Sequence, residues 1–290
     1  MANHESYLKQ HLVPEFGAKP VTPENFTRLA IKTFIAKQRE VMADSTLKTS
    51  LPTLSLVLDH AVDRGLLSSN PMRGSERLWK PKGSEEVHPF TPEQIRAVLA
   101  SAVAVDADFG ALVQVMTQTG IRPGEALGLR KCDFHLDRAE IHVCGSWSRN
   151  RLGPTKTRKN RKVSLLYPVV ETGWRPSEAG AVTRRVIDAV RGLKVQPLEP
   201  EARMFNMSPT RFDRLWRRAL KRANLEFRKP HTLRHSFASM LLSRGANLLA
   251  IQRAGGWTSA QVLLHTYAKW IESADQEGGS VQAAVQAASK

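Results

Sequence analysis

A run of prolines, glycines and charged residues at positions 74–89 constrains the fold of this chain more than any other feature. The segment GSERLWKPKGSEEVHP has little helical or strand periodicity, which is typical of a linker. It divides the 290 residues into a small N-terminal part and a second part of about 200 residues. Both parts are within the size range of single domains. We therefore predict two domains, at 1–80 and 88–290, joined by a linker at about 74–89.

The N-terminal part is predicted to be entirely helical. The segment Thr-Pro-Glu at 22–24 is typical of a helix start, and apolar residues follow at helical spacing up to Phe34. A second apolar helical pattern extends from Leu54 to Val62, and Gly65 is expected to end it.

The second part is predicted to be mainly helical with a small antiparallel β-sheet near its start. Thr91 and Gln94 fit a capping box, and the apolar helix at 111–119 is expected to end at Gly120. Alternation around Ile141 and along 163–166 predicts two strands. From about residue 181 the pattern is helical again, with one helix beginning at Ser208-Pro209 and another ending at Gly245.

Excess positive charge points to a polyanionic partner. Lys and Arg number 43 against 27 Asp and Glu, a formal net charge of +16. Residues 146–165 carry seven cations and no acid, and residues 211–235 carry nine cations against Asp213 and Glu226. A solvated loop and a solvated helix face would also have this composition. Because an all-cationic hairpin repels itself and phosphates relieve that repulsion, we favour binding of a nucleic-acid backbone.

Several classes of protein are excluded by composition. No stretch of about 18 apolar residues predicts a membrane span, and the N-terminus has no apolar signal-peptide core. Two cysteines, Cys132 and Cys144, do not support a secreted disulfide scaffold. The sequence contains no HExxH or CxxC motif that would predict a metal site, and we expect neither metal nor cofactor. The chain is expected to be a cytoplasmic protein.

Three further segments place polar side chains where they could bind a phosphoryl group. In TGIRPGEALGLR, Arg122 is expected at a turn before a helix N-terminus, with Glu125 three residues on. In PHTLRHSFASMLLSRG, His231 and Arg234 share one polar face of a helix. Tyr267, one of three tyrosines, follows a short helical run. Taken singly, these are equally consistent with a surface arginine, a capping histidine and a half-buried core tyrosine.

Together and in this order, these segments resemble the tyrosine recombinase (phage integrase) family of site-specific DNA recombinases. The Thr-Gly-Ile-Arg-Pro-Gly-Glu-Ala-Leu and His-Thr-Leu-Arg-His-Ser-Phe-Ala stretches are similar to the family's two arginine boxes. The resemblance covers nearly the whole chain. It implies a helical core-DNA-binding domain, then a mixed α/β catalytic domain with a C-terminal tail at about 271–290.

The resemblance also implies a role for each site residue. The catalytic residues would be Arg122, Lys156 of the basic hairpin, His231, Arg234, Trp257 and Tyr267, with Glu125 supporting. Tyr267 would attack a DNA phosphate and form a 3′-phosphotyrosine. Trp257 stands where most members have histidine, so acid–base work by a second histidine is not available at that position.

The resemblance implies an assembly as well. Strand exchange would need double-stranded DNA, a tetramer on paired sites and accessory DNA-bending proteins, at the nucleoid of a prokaryotic or phage-infected cell. Residues 1–80 are expected to leave no room for a further arm-binding domain. The alternatives are a topoisomerase-like enzyme that nicks and reseals one duplex, a non-catalytic DNA-binding relative and a metal-dependent nuclease.

Overall fold

The computed structural model describes residues 2–74, 88–165, 179–193, 197–244, 246–261, 263–264 and 266–267. The chain divides into two compact units, Met1–Glu86 and Val87–Lys290. The predicted fold class, mainly helical with small antiparallel sheets, is confirmed. Most of the predicted linker and all of the tail at 271–290 lie outside the described residues.

The first unit is helical in its described part. Its elements are α1 (Ala2–Tyr7), a π-helical turn (Leu8–Leu12), α2 (Val13–Phe16), α3 (Arg28–Val41) and α4 (Asp44–Asp63). Their apolar faces form one core, in which Ile31, Phe34, Leu47, Leu54 and Leu58 are almost completely buried.

The predicted helix start at Thr22 is wrong. Residues 22–26 form a turn, in which the Phe26 amide donates to the Thr22 carbonyl at 3.1 Å. The helix begins at Arg28, because Thr27 is the residue whose hydroxyl caps it, accepting from the Ala30 amide at 3.1 Å. The second helix begins ten residues before the predicted Leu54 and ends at Asp63, two residues before Gly65, whose φ of +71° confirms the predicted stop.

The second unit contains seven helices and five short strands in its described residues. The helices are α5 (Pro92–Val105), α6 (Ala107–Thr119), α7 (Pro123–Gly128), α8 (Ala179–Arg191), α9 (Pro209–Arg222), α10 (Thr232–Leu242) and α11 (Leu248–Gly255). The strands are β1 (Phe134–His135), β2 (Glu140–Val143), β3 (Ser146–Ser148), β4 (Arg151–Gly153) and β5 (Arg161–Ser164). Two 3-10 turns, Lys131–Asp133 and Leu136–Arg138, flank β1.

The strands form two small antiparallel sheets. One has the order β1-β2-β5, with Ile141 opposite Val163, and the other pairs β3 with β4, with Trp147 opposite Leu152. The strands predicted around Ile141 and Val163 are therefore present, although Leu166 lies outside the described residues. The sheets matter for the site because β4 and β5 hold the turn that contains Lys156.

Local capping signals fix the helices that carry the site. Thr91 and Gln94 form the predicted capping box at α5. Helix α6 ends at Gly120, whose φ of +61° is left-handed; a side chain there would also collide with the Phe237 ring. Ser208 caps α9 as predicted, accepting from the Arg211 amide at 3.2 Å. Helix α10 ends at Leu242, and Gly245 lies outside the described residues.

The core of the second unit packs against these helices and includes several deeply buried aromatic side chains. Phe90, Phe109, Phe212, Trp216 and Phe237 are all at most 2% exposed. The Trp216 indole N–H is satisfied by the Arg228 carbonyl at 2.7 Å. Among the described residues, the structure contains no helix that is long and apolar enough to cross a membrane.

Candidate active site

One cavity in the second unit, of about 780 Å³, brings the sequence-predicted residues together. Its lining includes all six proposed catalytic residues: Arg122, Lys156, His231, Arg234, Trp257 and Tyr267. Two residues that the sequence analysis did not single out, Arg161 and His235, line it too. Arg122 and Tyr267, which are 145 positions apart in the sequence, thus share one cavity.

Arg122 is held at its predicted place by Glu125. Arg122 is the N-cap of α7, and the Glu125 carboxylate accepts from its backbone N–H at 3.0 Å and from its Nη1 at 2.8 Å. The second guanidinium nitrogen, Nη2, donates to the Gly256 carbonyl at 3.2 Å. Glu125 therefore contacts Arg122 as the sequence analysis expected, and it does so from a site that is only 1% exposed.

Arg161, the first residue of β5, is a second partner of Glu125. Its Nη2 and Nη1 donate to the two carboxylate oxygens at 2.6 Å and 3.2 Å, and its Nε donates to the Ala254 carbonyl at 3.0 Å. Burial opposes ionisation of Glu125, but the hydrogen bonds and charges of Arg161 and then Arg122 outweigh it and hold its pKa below the usual value. Glu125 is therefore an anion shared between two arginines.

Arg234 is buried, which corrects the prediction that it lies on a polar helix face. It is 2% exposed, and its Nη1 donates to the carbonyls of Gly120, at 2.9 Å, and Gly255. Its Nη2 is buried without a hydrogen-bond acceptor among the described residues. Burial, and after it the charges of Arg122 and Arg161, lowers the pKa of Arg234 to about 9, so the side chain stays cationic at neutral pH.

Trp257 packs between Arg234 and Tyr267. The Arg234 guanidinium lies over the indole ring at 3.6 Å, and the Tyr267 ring meets it edge-on, with centroids 6.4 Å apart. Gly255 makes this possible, since a Cβ there would lie 1.7 Å from the indole. Gly256 has a φ of +68° and ends α11 so that the chain turns back toward the cavity.

Tyr267 is fully buried, and its phenol contacts His235. The Tyr267 Oη lies 2.5 Å from His235 Nδ1. Burial raises the pKa of Tyr267 above its usual value, although the charge of Arg234 opposes the rise. Burial, and after it Arg234, lowers the pKa of His235 to about 4. At neutral pH the pair is therefore a neutral phenol beside a neutral imidazole.

His231 and Lys156 are the two remaining predicted catalytic residues of the cavity lining. His231 is the N-cap of α10, and its ring meets that of His235 edge-on at 5.0 Å. Burial and then the neighbouring positive groups lower the pKa of His231 to about 4. Lys156 is exposed on the turn between β4 and β5, where Thr155 fixes the loop by donating to the Lys159 carbonyl at 3.0 Å.

The electrostatics of the cavity favour an anion. None of the described lining residues is acidic, whereas Arg122, Lys156, Arg161 and Arg234 are all basic. Within the described part of the chain, no group of three His, Cys, Asp or Glu side chains is placed to hold a metal ion. Planar guanidinium groups match the paired oxygens of a phosphodiester, and Tyr267 offers an oxygen nucleophile beside them.

Comparison with known proteins identifies the family. The family model described as "Phage integrase family" matches residues 88–272, more than half of the chain and all of the described site. The chain belongs to the phage integrase family. The expected family resemblance is thereby confirmed.

Relatives of this integrase-family chain are recombination proteins at moderate identity. It is 25% identical over 247 residues to prophage integrase IntR of Escherichia coli K12, covering 80% of this chain and 59% of IntR. It is 27% identical over 277 residues to tyrosine recombinase XerC of Thermodesulfovibrio yellowstonii, covering 91% of this chain and 85% of XerC. The chain spans about 60% of the length of the two Escherichia coli relatives IntQ and IntR.

Solved structures of the same family share the fold. The Tn1549 transposon integrase in complex with transposon right-end DNA matches with a TM-score of 0.71 at 19% identity, covering 92% of this chain and 88% of that one. A lambda integrase dimer bound to a core site matches with a TM-score of 0.69 at 16% identity, covering 90% and 88%.

Two site residues were missed from the sequence, although each carried a signal. Arg161 is two residues before Val163, so in a strand both side chains point to the same, core-facing side. His235 is four residues after His231, which places both on one helix face. In both cases the periodicity that located the core residues would also have located the polar neighbour.

Proposed function

We propose that this integrase-family protein is a site-specific DNA recombinase that cleaves and rejoins strands through a 3′-phosphotyrosine on Tyr267. One observation carries the proposal: the buried Arg234 Nη2 has no acceptor among the described residues and lines the same cavity as Tyr267. A buried guanidinium N–H is costly unless it is bonded, so the cavity favours an anion at that point. A phosphodiester of double-stranded DNA supplies that anion next to a hydroxyl nucleophile.

Two arginines and a histidine would bind the phosphate. Arg122 and Arg234 are fixed by Glu125 and by backbone carbonyls, so their remaining N–H groups are preorganised donors for the non-bridging oxygens. His231 is neutral at neutral pH, and it would either donate its ring N–H to one of the same oxygens or act as a proton acceptor. These donors strengthen as charge accumulates on the phosphorus oxygens in the transition state.

Tyr267 and Lys156 would act on opposite sides of the phosphorus. The bond from Tyr267 Oη to phosphorus forms while the bond from phosphorus to the 5′-oxygen breaks. The exposed Lys156 side chain would donate a proton to the leaving 5′-oxygen. Trp257 would position Arg234, whose guanidinium lies over the indole ring, and Tyr267, whose ring meets the indole edge-on. Because the phosphotyrosine ester keeps the bond energy, religation to a second strand needs no ATP.

The assembly follows from the same proposal. Residues 1–80 would be the core-DNA-binding domain, and the basic segments at 146–165 and 211–235 would contact the DNA backbone. The Tn1549 and lambda structures are complexes with DNA, which supports DNA as the partner here. Recombination would take place in a tetramer on paired sites, with accessory DNA-bending proteins, at the nucleoid in the cytoplasm.

Trapping of the covalent intermediate tests the proposal. The protein is incubated with a set of nicked duplexes that cover the DNA adjoining its gene, because loss of the short 5′-OH strand prevents religation. A denaturing gel should show a protein–DNA adduct with one of these duplexes. Tyr267→Phe should bind the same duplex and form no adduct.

The matched control is Tyr7→Phe, which removes the phenol oxygen of a buried tyrosine in the first unit and should leave the adduct unchanged. An adduct that persists in Tyr267→Phe would contradict the assignment of the nucleophile. Resealing of a single duplex with no requirement for paired sites would favour the topoisomerase-like alternative instead.

A further inference from the structure

Three consecutive backbone carbonyls at the end of α11 accept hydrogen bonds from three different arginines of the cavity. The pairs are Arg161 Nε with the Ala254 carbonyl at 3.0 Å, Arg234 Nη1 with the Gly255 carbonyl, and Arg122 Nη2 with the Gly256 carbonyl at 3.2 Å. The last carbonyls of a helix have no partner inside the helix and lie at the negative end of its dipole, so they attract cations. The end of α11 therefore holds all three guanidinium groups.

Arg161 directs each of its three guanidinium nitrogens to an acceptor on the protein. Its Nε donates to the α11 carbonyl, and its Nη1 and Nη2 donate to the two oxygens of Glu125 at 3.2 Å and 2.6 Å. In Arg234, by contrast, Nη2 has no acceptor among the described residues. The Arg161 side chain is only 10% exposed. Arg161 therefore acts on protein groups, whereas Arg234 retains a donor for a substrate.

We propose that Arg161 is a positioning residue for DNA cleavage, which shares the charge of Glu125 with Arg122 and joins β5 to the end of α11. Arg122 thereby stays cationic toward the scissile phosphate and fixed in direction. This inference rests on the proposed recombinase function. It adds to that function a residue outside the six that the family resemblance names as catalytic.

The first part of this role is electrostatic. Arg122 and Arg161 carry two positive charges and Glu125 carries one negative charge, so the group has a net charge of +1. Without Arg161, Glu125 would compensate Arg122 alone and the group would be neutral. The carboxylate, no longer shared, would also repel a phosphate that approaches Arg122. Arg161 therefore preserves the attraction between Arg122 and the scissile phosphate.

The second part of the role is geometric. Arg161 is the first residue of β5, and the turn that contains Lys156 leads into this strand. The end of α11 approaches the Arg161 side chain so closely that a Cβ at Gly256 would lie 2.9 Å from the guanidinium carbon. The next residue, Trp257, packs against the Arg234 guanidinium at 3.6 Å. Arg161 thus connects the turn of the proposed general acid to the chain segment that holds the phosphate-binding arginines.

Single-turnover adduct formation on the nicked duplex, with duplex affinity measured separately, tests the proposal. Arg161→Gln removes the charge and the paired donors, whereas Arg161→Lys keeps the charge. At saturating duplex, Arg161→Gln should form the adduct about 10²-fold more slowly than the wild type, which is the effect of misplacing a reacting group by about 1 Å. Arg161→Lys should have an intermediate rate, because the net charge of the group is retained. Both variants should bind the duplex with near wild-type affinity, since backbone contacts elsewhere supply most of it.

Arg130 supplies a matched control outside the cavity. Its guanidinium donates to both oxygens of Asp133, at 3.2 Å and 3.0 Å, and Asp133 is only 3% exposed. Arg130→Gln therefore removes a cation from a buried carboxylate of the same unit without changing the cavity lining. This variant should be less stable than the wild type and form the adduct at the wild-type rate. Thermal unfolding of each variant sets an assay temperature at which all of them are folded.

Three results would overturn the positioning role. Wild-type rates in both Arg161 variants would show that Glu125 and α11 hold Arg122 without it. An equally slow Arg130→Gln would show that loss of stability alone slows the reaction. A fall in duplex affinity that accounts for the whole defect would make Arg161 a DNA-binding residue instead. If the wild type itself forms no adduct with any duplex, the proposed function fails first, and the inference fails with it.

Discussion

Replacing Arg161 with alanine should destabilise the second unit more than any exposed substitution on the same strand. Arg161 donates to both oxygens of Glu125, at 2.6 Å and 3.2 Å, and to the Ala254 carbonyl at 3.0 Å. Its side chain is 10% exposed and that of Glu125 is 1% exposed, so water cannot replace these bonds without opening the structure. The substitution also detaches the end of α11 from β5.

The magnitude follows from what remains after the change. Removing one partner of a buried ion pair costs about 3–5 kcal/mol when the other charge is left uncompensated. Here Arg122 still donates to Glu125 at 2.8 Å, so the carboxylate keeps one cation. Lower repulsion on Arg234 offsets a further part of the loss. We therefore expect the free energy of unfolding to fall by about 3 kcal/mol, at the low end of that range.

Urea unfolding followed by tryptophan fluorescence measures this loss of stability in the second unit. Five of the six tryptophans have sequence positions after residue 87, so the signal reports mainly on the second unit. With a denaturant slope of about 1–3 kcal/mol per molar, the midpoint should fall by at least about 1 M. The control is Lys162→Ala, the exposed neighbour on β5, which should change stability by no more than about 0.5 kcal/mol. If the two variants unfold together, the bonds of Arg161 do not stabilise the fold, and the reasoning is refuted.

Two further predictions concern the proposed chemistry. Lys156→Ala should slow cleavage of a normal duplex by about 10²–10⁴-fold, and a 5′-sulfur substrate should largely restore the rate; an equally slow reaction with that substrate would assign the general acid elsewhere. Trp257→Ala should lower the free energy of unfolding by about 1–3 kcal/mol, since it removes the half-buried ring that Arg234 covers at 3.6 Å, whereas Trp257→His should keep measurable adduct formation on the nicked duplex. Unchanged unfolding and cleavage in Trp257→Ala would show that the indole does not support the site.

The parts of the molecule that the sequence predicted well depend on local signals. The stop at Gly120, the capping box at Thr91 and the cap at Ser208 each involve residues within four positions of one another. The wrongly predicted helix start at Thr22 shows the limit of such signals, because Thr22 and Thr27 both have a hydroxyl group that can cap a helix. The choice between them depends on which helix start buries Ile31 and Phe34, and that is a tertiary effect.

The parts that the sequence did not predict depend on pairs far apart in the chain. Arg161 meets Glu125 across 36 positions, and Arg234 meets the Gly120 carbonyl across 114. Burial of Arg234 could not be inferred from α10 alone, because its position there is compatible with solvent. The carbonyls that replace water come from the ends of α6 and α11, and only the packed fold brings them to the guanidinium.

The arrangement of acceptors around the three arginines creates an electrostatic preference for an anion in the cavity. Glu125 accepts from Arg122 and Arg161, whereas the acceptors of Arg234 among the described residues are backbone carbonyls, which carry no net charge. A second buried carboxylate beside Arg234 would satisfy its Nη2 and occupy the space where the proposed phosphate binds. The chain instead retains a buried cation with a lowered pKa and an unused donor, which costs stability in the free protein. An anion that binds there removes both costs at once, so the same residues that weaken the free cavity increase its affinity for a phosphate.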